Sequence, residues 1–121
     1  MKLAIASNNG VTIQRHFGRT GQYVVVTLDG NGQVTREHRE VDRSHQADPD
    51  HHRHHHGTLL DPIADCDVLI AGGMGIPMAN AAQASGKQLI LTNERLVDDI
   101  IASFAAGTLT HHPELAHQPG H

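Results

Sequence analysis

Twelve histidines stand in 121 residues against a single cysteine, Cys66. Five of them crowd into His51-His52-Arg53-His54-His55-His56. Imidazole suits copper, zinc, nickel and iron, whereas a protein-built iron–sulfur cluster takes most of its ligands from cysteine thiolates. One thiolate does not hold such a cluster in the usual way. Any metal–sulfur species handled by this chain must therefore bring its own sulfides. On an extended loop the imidazoles of His51, His52, His54, His55 and His56 can converge on one ion, with His45 or His38 beside them. An uninterrupted run sets none of the ligand spacing that a structural zinc site needs. Two readings stay open: a divalent-metal buffer built on this loop, and a loop with no specific metal role.

A second group is His16-Phe17-Gly18-Arg19, with Arg15 just before it. It offers an imidazole, an aromatic plate, a flexible glycine and permanently charged guanidinium groups. Such a set can grip a compact anion that has an apolar face. The plainer alternative is a turn with Phe17 tucked into the core and Arg19 in solvent. A third group is Gly72-Gly73-Met74-Gly75-Ile76-Pro77, between a buried apolar run and a helix. Its glycines permit close approach of backbone to a ligand, and a helix N-terminus presents unpaired N–H groups and partial positive charge. A tight strand-to-helix turn needs glycine too.

Other chemistries find less in the sequence. The glycine loop lacks the third glycine of G-x-G-x-x-G, and no G-x-x-x-x-G-K-[ST] loop occurs, which leaves a nucleotide-binding module weakly supported. Cys66, in Asp65-Cys66-Asp67, is a candidate metal ligand. Most cysteines at the start of a buried strand are instead small core hydrophobes, and Met74 and Met78 likewise read first as packing. A magnesium-dependent nuclease on such a sheet needs a carboxylate on the first strand, where Ser7 and Asn8 stand. A protein that is not an enzyme is the expectation.

These groups need elements to hold them. Residues 2–7 and 22–29 read as strands, the second dominated by β-branched residues. Gly30-Asn31-Gly32 supplies a hairpin turn, and the polar return strand 33–41 suits a sheet edge, where Arg36, Glu37, Arg39 and Glu40 discourage edge pairing. Residues 42–57 form a polar histidine-rich loop. Thr58 to Asp65 reads as a short helix restrained by Pro62. Residues 67–71 and 87–92 read as buried parallel strands. Pro77 opens an alanine-rich helix that Gly86 ends, and a last helix starts near Asn93 and stops at Gly107. Leu96, Val97, Ile100, Ile101 and Phe104 share one face of it. The order β-β-β-α-β-α-β-α predicts an α/β fold: a ribonuclease-H-like, mixed five-stranded sheet, with an antiparallel hairpin half plus two parallel strands, flanked by helices. Residues 1–107 are expected to form a single cluster-binding domain, and 108–121 a flexible tail with two prolines and four histidines.

Composition bounds the rest. The core must be aliphatic, since there is no tryptophan, one tyrosine and two phenylalanines. A lone cysteine excludes an internal disulfide and fits a reducing compartment. The opening apolar run is too short for a signal peptide, and no stretch approaches the ~20 apolar residues of a membrane helix. We expect a soluble cytoplasmic protein. A net charge of −4 with neutral histidines argues against general nucleic-acid binding. Mild acidification can reverse that sign, because histidine titrates near pH ~6.5.

Taken in order, Met1-Lys2-Leu3-Ala4-Ile5-Ala6-Ser7 and its turn, His16-Phe17-Gly18-Arg19, the histidine-rich middle, Asp65-Cys66-Asp67-Val68 and Gly73-Met74-Gly75 resemble the dinitrogenase iron–molybdenum cofactor biosynthesis family. The resemblance spans nearly the whole chain. It implies a ribonuclease-H-like fold that binds or carries preformed metal–sulfur clusters without covalent catalysis. It is nearest to the orange-protein branch, which implies a molybdenum–copper sulfide cluster, with other molybdenum or iron sulfide clusters next. On that reading Arg19, Arg15 and the glycine-loop amides neutralise the anion, and Phe17, Met74 and Ile76 line its sulfur surface. ATPases or cofactor-assembly proteins are the implied partners, with neither nucleic acid nor membrane. Asn8-Asn9 depart from the acidic residues that relatives often carry there.

Overall fold

The computed structural model describes residues 1–30, 33–41 and 59–117. Asn31 and Gly32 of the expected hairpin turn lie outside them. So do residues 42–58, with His45 and the run His51, His52, His54, His55 and His56.

Seven strands and two helices are seen among the described residues: β1 (Lys2–Ala6), β2 (Gln22–Leu28), β3 (Val34–Glu40), β4 (Val68–Ala71), β5 (Met74–Gly75), α1 (Ile76–Ala84), β6 (Gln88–Leu91), α2 (Val97–Ala105) and β7 (Ala116–His117). Five strands form one sheet in the order β3-β2-β1-β4-β6. β2 runs antiparallel to both β1 and β3, with Ile5 opposite Val24 and Val24 opposite His38. β4 runs parallel to β1 and β6. The expected mixed sheet, hairpin half plus parallel half, is the one that forms.

Strand alternation sends side chains to two faces, and each face has its own core. On one, Ala4, Ala6, Val25, Leu69, Ala71, Leu89 and Leu91 pack against Met78, Ala79 and Ala82 of α1. On the other, Leu3, Ile5, Val24, Val26, Val68, Ile70 and Ile90 pack against Val97, Ile100 and Ile101 of α2. The spacing of those three α2 residues is the stripe that a core-facing helix needs. β3 is exposed along nearly all its length, as its charges required.

Three local readings differ from the sequence expectation. The last helix begins at Val97, not near Asn93. The Thr92 hydroxyl accepts the Glu94 amide, the Arg95 carbonyl accepts the Ile13 amide and Leu96 bridges Thr12, so 92–96 stay outside the helix. Of the expected helix 58–65, among the described residues only Leu59 and Leu60 are α-helical before a 3-10 turn at Asp61–Ile63. Pro62 cannot donate an N–H to carry the helix on. The segment after Gly107, read from the sequence as a loose tail, returns to the body as far as His117. There β7 pairs in parallel with β5, Met74 opposite Ala116 and Gly75 opposite His117. Among the described residues no helix is long and apolar enough to cross a membrane.

Candidate functional site

The parallel strands β1, β4 and β6 end side by side, and the loops that leave them interlock. Gln14 joins two of them: its amide donates to the Ala6 carbonyl at 2.8 Å, and its carbonyl accepts the Gly72 amide at 3.2 Å. Phe17 donates its amide to the Gly73 carbonyl at 3.1 Å, and Ile13 donates to Arg95 at 2.9 Å. Residues 13–17 therefore lie across the carboxyl ends of the strands, the crevice where open α/β sheets place ligands.

This crossing explains two of the glycines. A Cβ on Gly72 would fall 3.0 Å from the Arg15 Cα and 3.1 Å from the Gln14 carbonyl oxygen. On Gly73 it would fall 2.9 Å from the Arg15 oxygen and 3.3 Å from the Leu115 oxygen. Both glycines are buried under the chain's own backbone. What the lack of a Cβ at these two positions admits is the close approach of the arginine-bearing loop. Gly75 and Ile76 remain half-buried at the start of α1, where the first-turn amides lack intrahelical partners.

Phe17 and Met74 take the plainer of their two readings, as packing. Each is at most 2% exposed and belongs to the α1-side core. The Phe17 ring lies tilted against Tyr23, with centroids 6.2 Å apart, and the Tyr23 hydroxyl donates to the Leu59 carbonyl at 2.6 Å. Burying an aromatic ring is worth more than leaving it to line a surface. Phe17 is thus the foot of the 3-10 turn Phe17–Arg19, while Arg15, His16, Gly18 and Arg19 stand exposed above it.

Asn8 positions that turn. Its side-chain amide donates to the Arg19 carbonyl at 3.1 Å and its oxygen accepts the Gly21 amide at 2.6 Å. Asn9 accepts the amides of Val11 and Thr12, both at 2.8 Å, closing an Asx turn. The sequence marked Asn8-Asn9 only as a turn. The link of Asn8 to Arg19 spans the whole loop, so no local pattern could announce it.

Charge is distributed unevenly. At the opposite end of the parallel strands, Asp65 pairs with Lys2 at 2.8 Å and with Arg39 at 2.5 Å, and Arg39 also meets Glu37 at 2.9 Å. Hydrogen bonds from Arg39 and then Lys2 hold the Asp65 carboxyl well below the usual carboxylate range. Asp67 accepts the Lys2 amide at 3.0 Å. Arg36 pairs with Asp98. Arg15 and Arg19 have no such carboxylate among the described residues.

Cys66 lies in that opposite end, 4% exposed in the α1-side core. Burial, then the Asp65 charge, pushes its thiol up to about 11. This suits packing and opposes thiolate ligation. Among the described residues no three His, Cys, Asp or Glu side chains gather as a metal-ligand group. His38 sits on β3 opposite Val24, with its ring over Gly10 in the loop that leaves β1.

The returning segment closes one side of the site. His111 accepts the Leu91 amide through Nδ1 at 3.1 Å, and His112 donates its amide to the Leu91 carbonyl at 2.8 Å. Leu115 and Ala116 then pack on the α1-side core beside Gly73 and Met74. Nothing in the proline- and histidine-rich sequence signalled this return, because pairing with β5 requires the completed glycine turn.

A family model described as dinitrogenase iron-molybdenum cofactor matches residues 1–107. No curated protein sequence matches the chain. Among solved structures, protein PH0822 superposes with a TM-score of 0.72 at 22% identity, covering 93% of this chain and 96% of that one. The apo orange protein of Desulfovibrio gigas gives 0.68 at 19% identity, with 92% of each chain covered. Protein mj0327 of Methanocaldococcus jannaschii gives 0.61 at 19% identity, covering 91% of this chain and 92% of its own. At such identities the likenesses speak for the fold.

Proposed function

The chain belongs to the dinitrogenase iron-molybdenum cofactor family, and on that premise we propose that it binds and carries a preformed metal–sulfur cluster without catalysing a reaction on it. The observation that carries this reading is the turn Phe17–Arg19. Its aromatic foot is buried, its glycine partner loop is fixed by main chain, and Arg19, with Arg15 just before the turn, meets no carboxylate among the described residues.

The cargo is a soft anion that arrives with its sulfides in place, a molybdenum–copper sulfide cluster first, with other molybdenum or iron sulfide clusters next. Arg15 and Arg19 offset its charge through charge-assisted hydrogen bonds, and the first-turn amides of α1 lie alongside. Ile76, half-buried, remains to meet its sulfur surface. Cys66 is not needed as a ligand, since its thiol stays protonated in the core. The sheet order supports reading the fold as ribonuclease-H-like. A reducing, cytoplasmic setting and a cofactor-assembly protein or ATPase as giver or taker of the cluster complete the proposal.

The test is elemental analysis and an absorption spectrum of protein isolated anaerobically without an affinity tag. Molybdenum, inorganic sulfur and a visible chromophore at one cluster per chain are expected, with uptake by apo protein lost in Arg19→Ala. Colourless, metal-free material, or equal uptake by Arg19→Ala and wild type, overturns the reading.

A further inference from the structure

β3 is the last strand on one side of the sheet, and every one of its residues except Arg39 is exposed. Its neighbour fixes which way its main chain faces. The Val41 amide donates to the Gly21 carbonyl at 2.9 Å, and the Gln33 carbonyl accepts the Asp29 amide at 3.2 Å. Between them the register runs unbroken, from Gln22 opposite Glu40 to Leu28 opposite Val34. Alternation therefore turns the amides and carbonyls of Thr35, Glu37 and Arg39 toward β2, and those of Val34, Arg36, His38 and Glu40 outward. The outward groups have no main-chain partner among the described residues.

Such an edge invites a further strand, and charged side chains are the usual defence. Here the order of the charges decides which strand is refused. Read backwards from Glu40 to Arg36, the run Arg36-Glu37-His38-Arg39-Glu40 reverses every sign about His38. In an antiparallel pair of two β3 strands centred on His38, Arg36 lies opposite the partner's Glu40, and Glu37 lies opposite the partner's Arg39. Two-fold symmetry repeats both pairs. Centring the pair on Arg36, Glu37, Arg39 or Glu40 instead sets that residue against its own copy, like charge on like. A two-fold parallel pair does the same at every position. The His38 centre also brings outward main chain against outward main chain, since Arg36, His38 and Glu40 all face that way.

Glu40 is exposed and meets no cation among the described residues. Arg36 lies on the same face of the strand, half-exposed beside Asp98.

We infer that β3 is the interface of a two-fold dimer, in which a second copy of this chain extends the sheet in the single register centred on His38. Outward pairs at His38 with the partner's His38, at Arg36 with the partner's Glu40 and at Glu40 with the partner's Arg36 give about six main-chain hydrogen bonds. The charges that bar other strands select this one. The shared area is small, so the dimer is a weak one that forms at high protein concentration. The inference is independent of the cluster-carrier reading.

The test is sedimentation equilibrium of the full, untagged chain with a chelator present, so that histidines cannot bridge copies through metal. Between about 10 μM and 1 mM, wild type should show a monomer–dimer equilibrium that weakens with salt. Hydrogen exchange at the Arg36, His38 and Glu40 amides should slow as concentration rises. The Glu37 and Arg39 amides, bonded to β2 in either state, should not respond. Arg36→Glu and Glu40→Arg should each weaken self-association about tenfold, because each clash occurs twice. Mixed in equal amounts, the two variants oppose unlike charges at both positions and should associate about as tightly as wild type. Wild type that stays monomeric throughout the range, a dimer whose three outward amides exchange as in the monomer, or a mixture that associates no better than its components overturns the inference. The exchange readout is made on wild type and needs no substitution to fold.

Discussion

The Phe17 amide and the Gly73 carbonyl, 3.1 Å apart, join the buried foot of the arginine turn to the loop that opens α1. The two sequence groups that looked like separate ligand-binding motifs are one main-chain unit. Its exposed part is charged and its buried part is aromatic, and the glycines between them are spacers.

Gly73→Ala tests the spacer role. The new Cβ would lie 2.9 Å from the Arg15 carbonyl oxygen and 3.3 Å from that of Leu115, both main chain. Neither yields as a side-chain tip would, so a loss of about 1–3 kcal/mol in urea-induced unfolding is expected, as for overpacked sites. Gly18→Ala is the control, because nothing lies within 4 Å of its added Cβ. Equal stability of the two variants would show that the loop moves aside freely.

Phe17 and Arg19 should separate stability from binding. Phe17→Ala removes a ring 1% exposed and should cost about 3–5 kcal/mol. Arg19→Ala, exposed and without a carboxylate partner, should change stability by less than about 0.5 kcal/mol, as most surface substitutions do, while cluster uptake falls. A large unfolding shift in Arg19→Ala would mean that its guanidinium supports the turn itself.

Much of this arrangement was legible in the residues. Period-two and period-3.6 patterns placed β1, β2 and the inner face of α2, since each is set by local burial. Pro77 and Gly86 marked the ends of α1, the latter at φ 90°. The hidden parts were those decided across the chain. Whether Phe17 faces solvent or core depends on Tyr23 in the next strand, itself fixed by Leu59 far along the sequence. Cys66 read first as a core hydrophobe and second as a ligand, and its flanking acids gave no sign of their partners: Asp65 pairs Lys2 and Arg39, and Asp67 accepts the Lys2 amide.

The Cys66 thiol should be slow to react. Burial places its titration at about 11, so at pH 8 only about one molecule in a thousand carries the thiolate. Iodoacetamide is expected to label the protein quickly only after denaturant is added. Cys66→Ala should retain cluster uptake. Rapid labelling of native protein, or loss of uptake in the alanine variant, would bring the thiol back as a ligand.

Asp65 sets a pH dependence of known sign. Its carboxyl titrates below the ordinary range through hydrogen bonds from Arg39 and Lys2. A carboxyl depressed on folding contributes stability above its unfolded pKa, near ~3.9, and loses it progressively as pH falls. Wild type should exceed Asp65→Asn at neutral pH, and the gap should close below about pH 4. The side chain is 48% exposed, so the gap should be modest and shrink with salt. Curves that stay parallel through the acid range would exclude Asp65 as the source.

His111 is the clasp of the returning segment. Its Nδ1 accepts the Leu91 amide at 3.1 Å on the outer edge of β6, while the His112 amide donates to the Leu91 carbonyl at 2.8 Å. Edge strands expose such groups to pairing by other chains, and here a side chain and a main-chain amide cover them. His111→Ala leaves the Leu91 amide to water and should cost about 1 kcal/mol, the net worth of one hydrogen bond. Hydrogen exchange at Leu91 and in β7 should quicken, whereas Ala4 and Leu69 in the central strands keep their protection. Unchanged exchange in β7 would show that Leu115 and Ala116, packed on the core beside Gly73, hold the segment without the clasp.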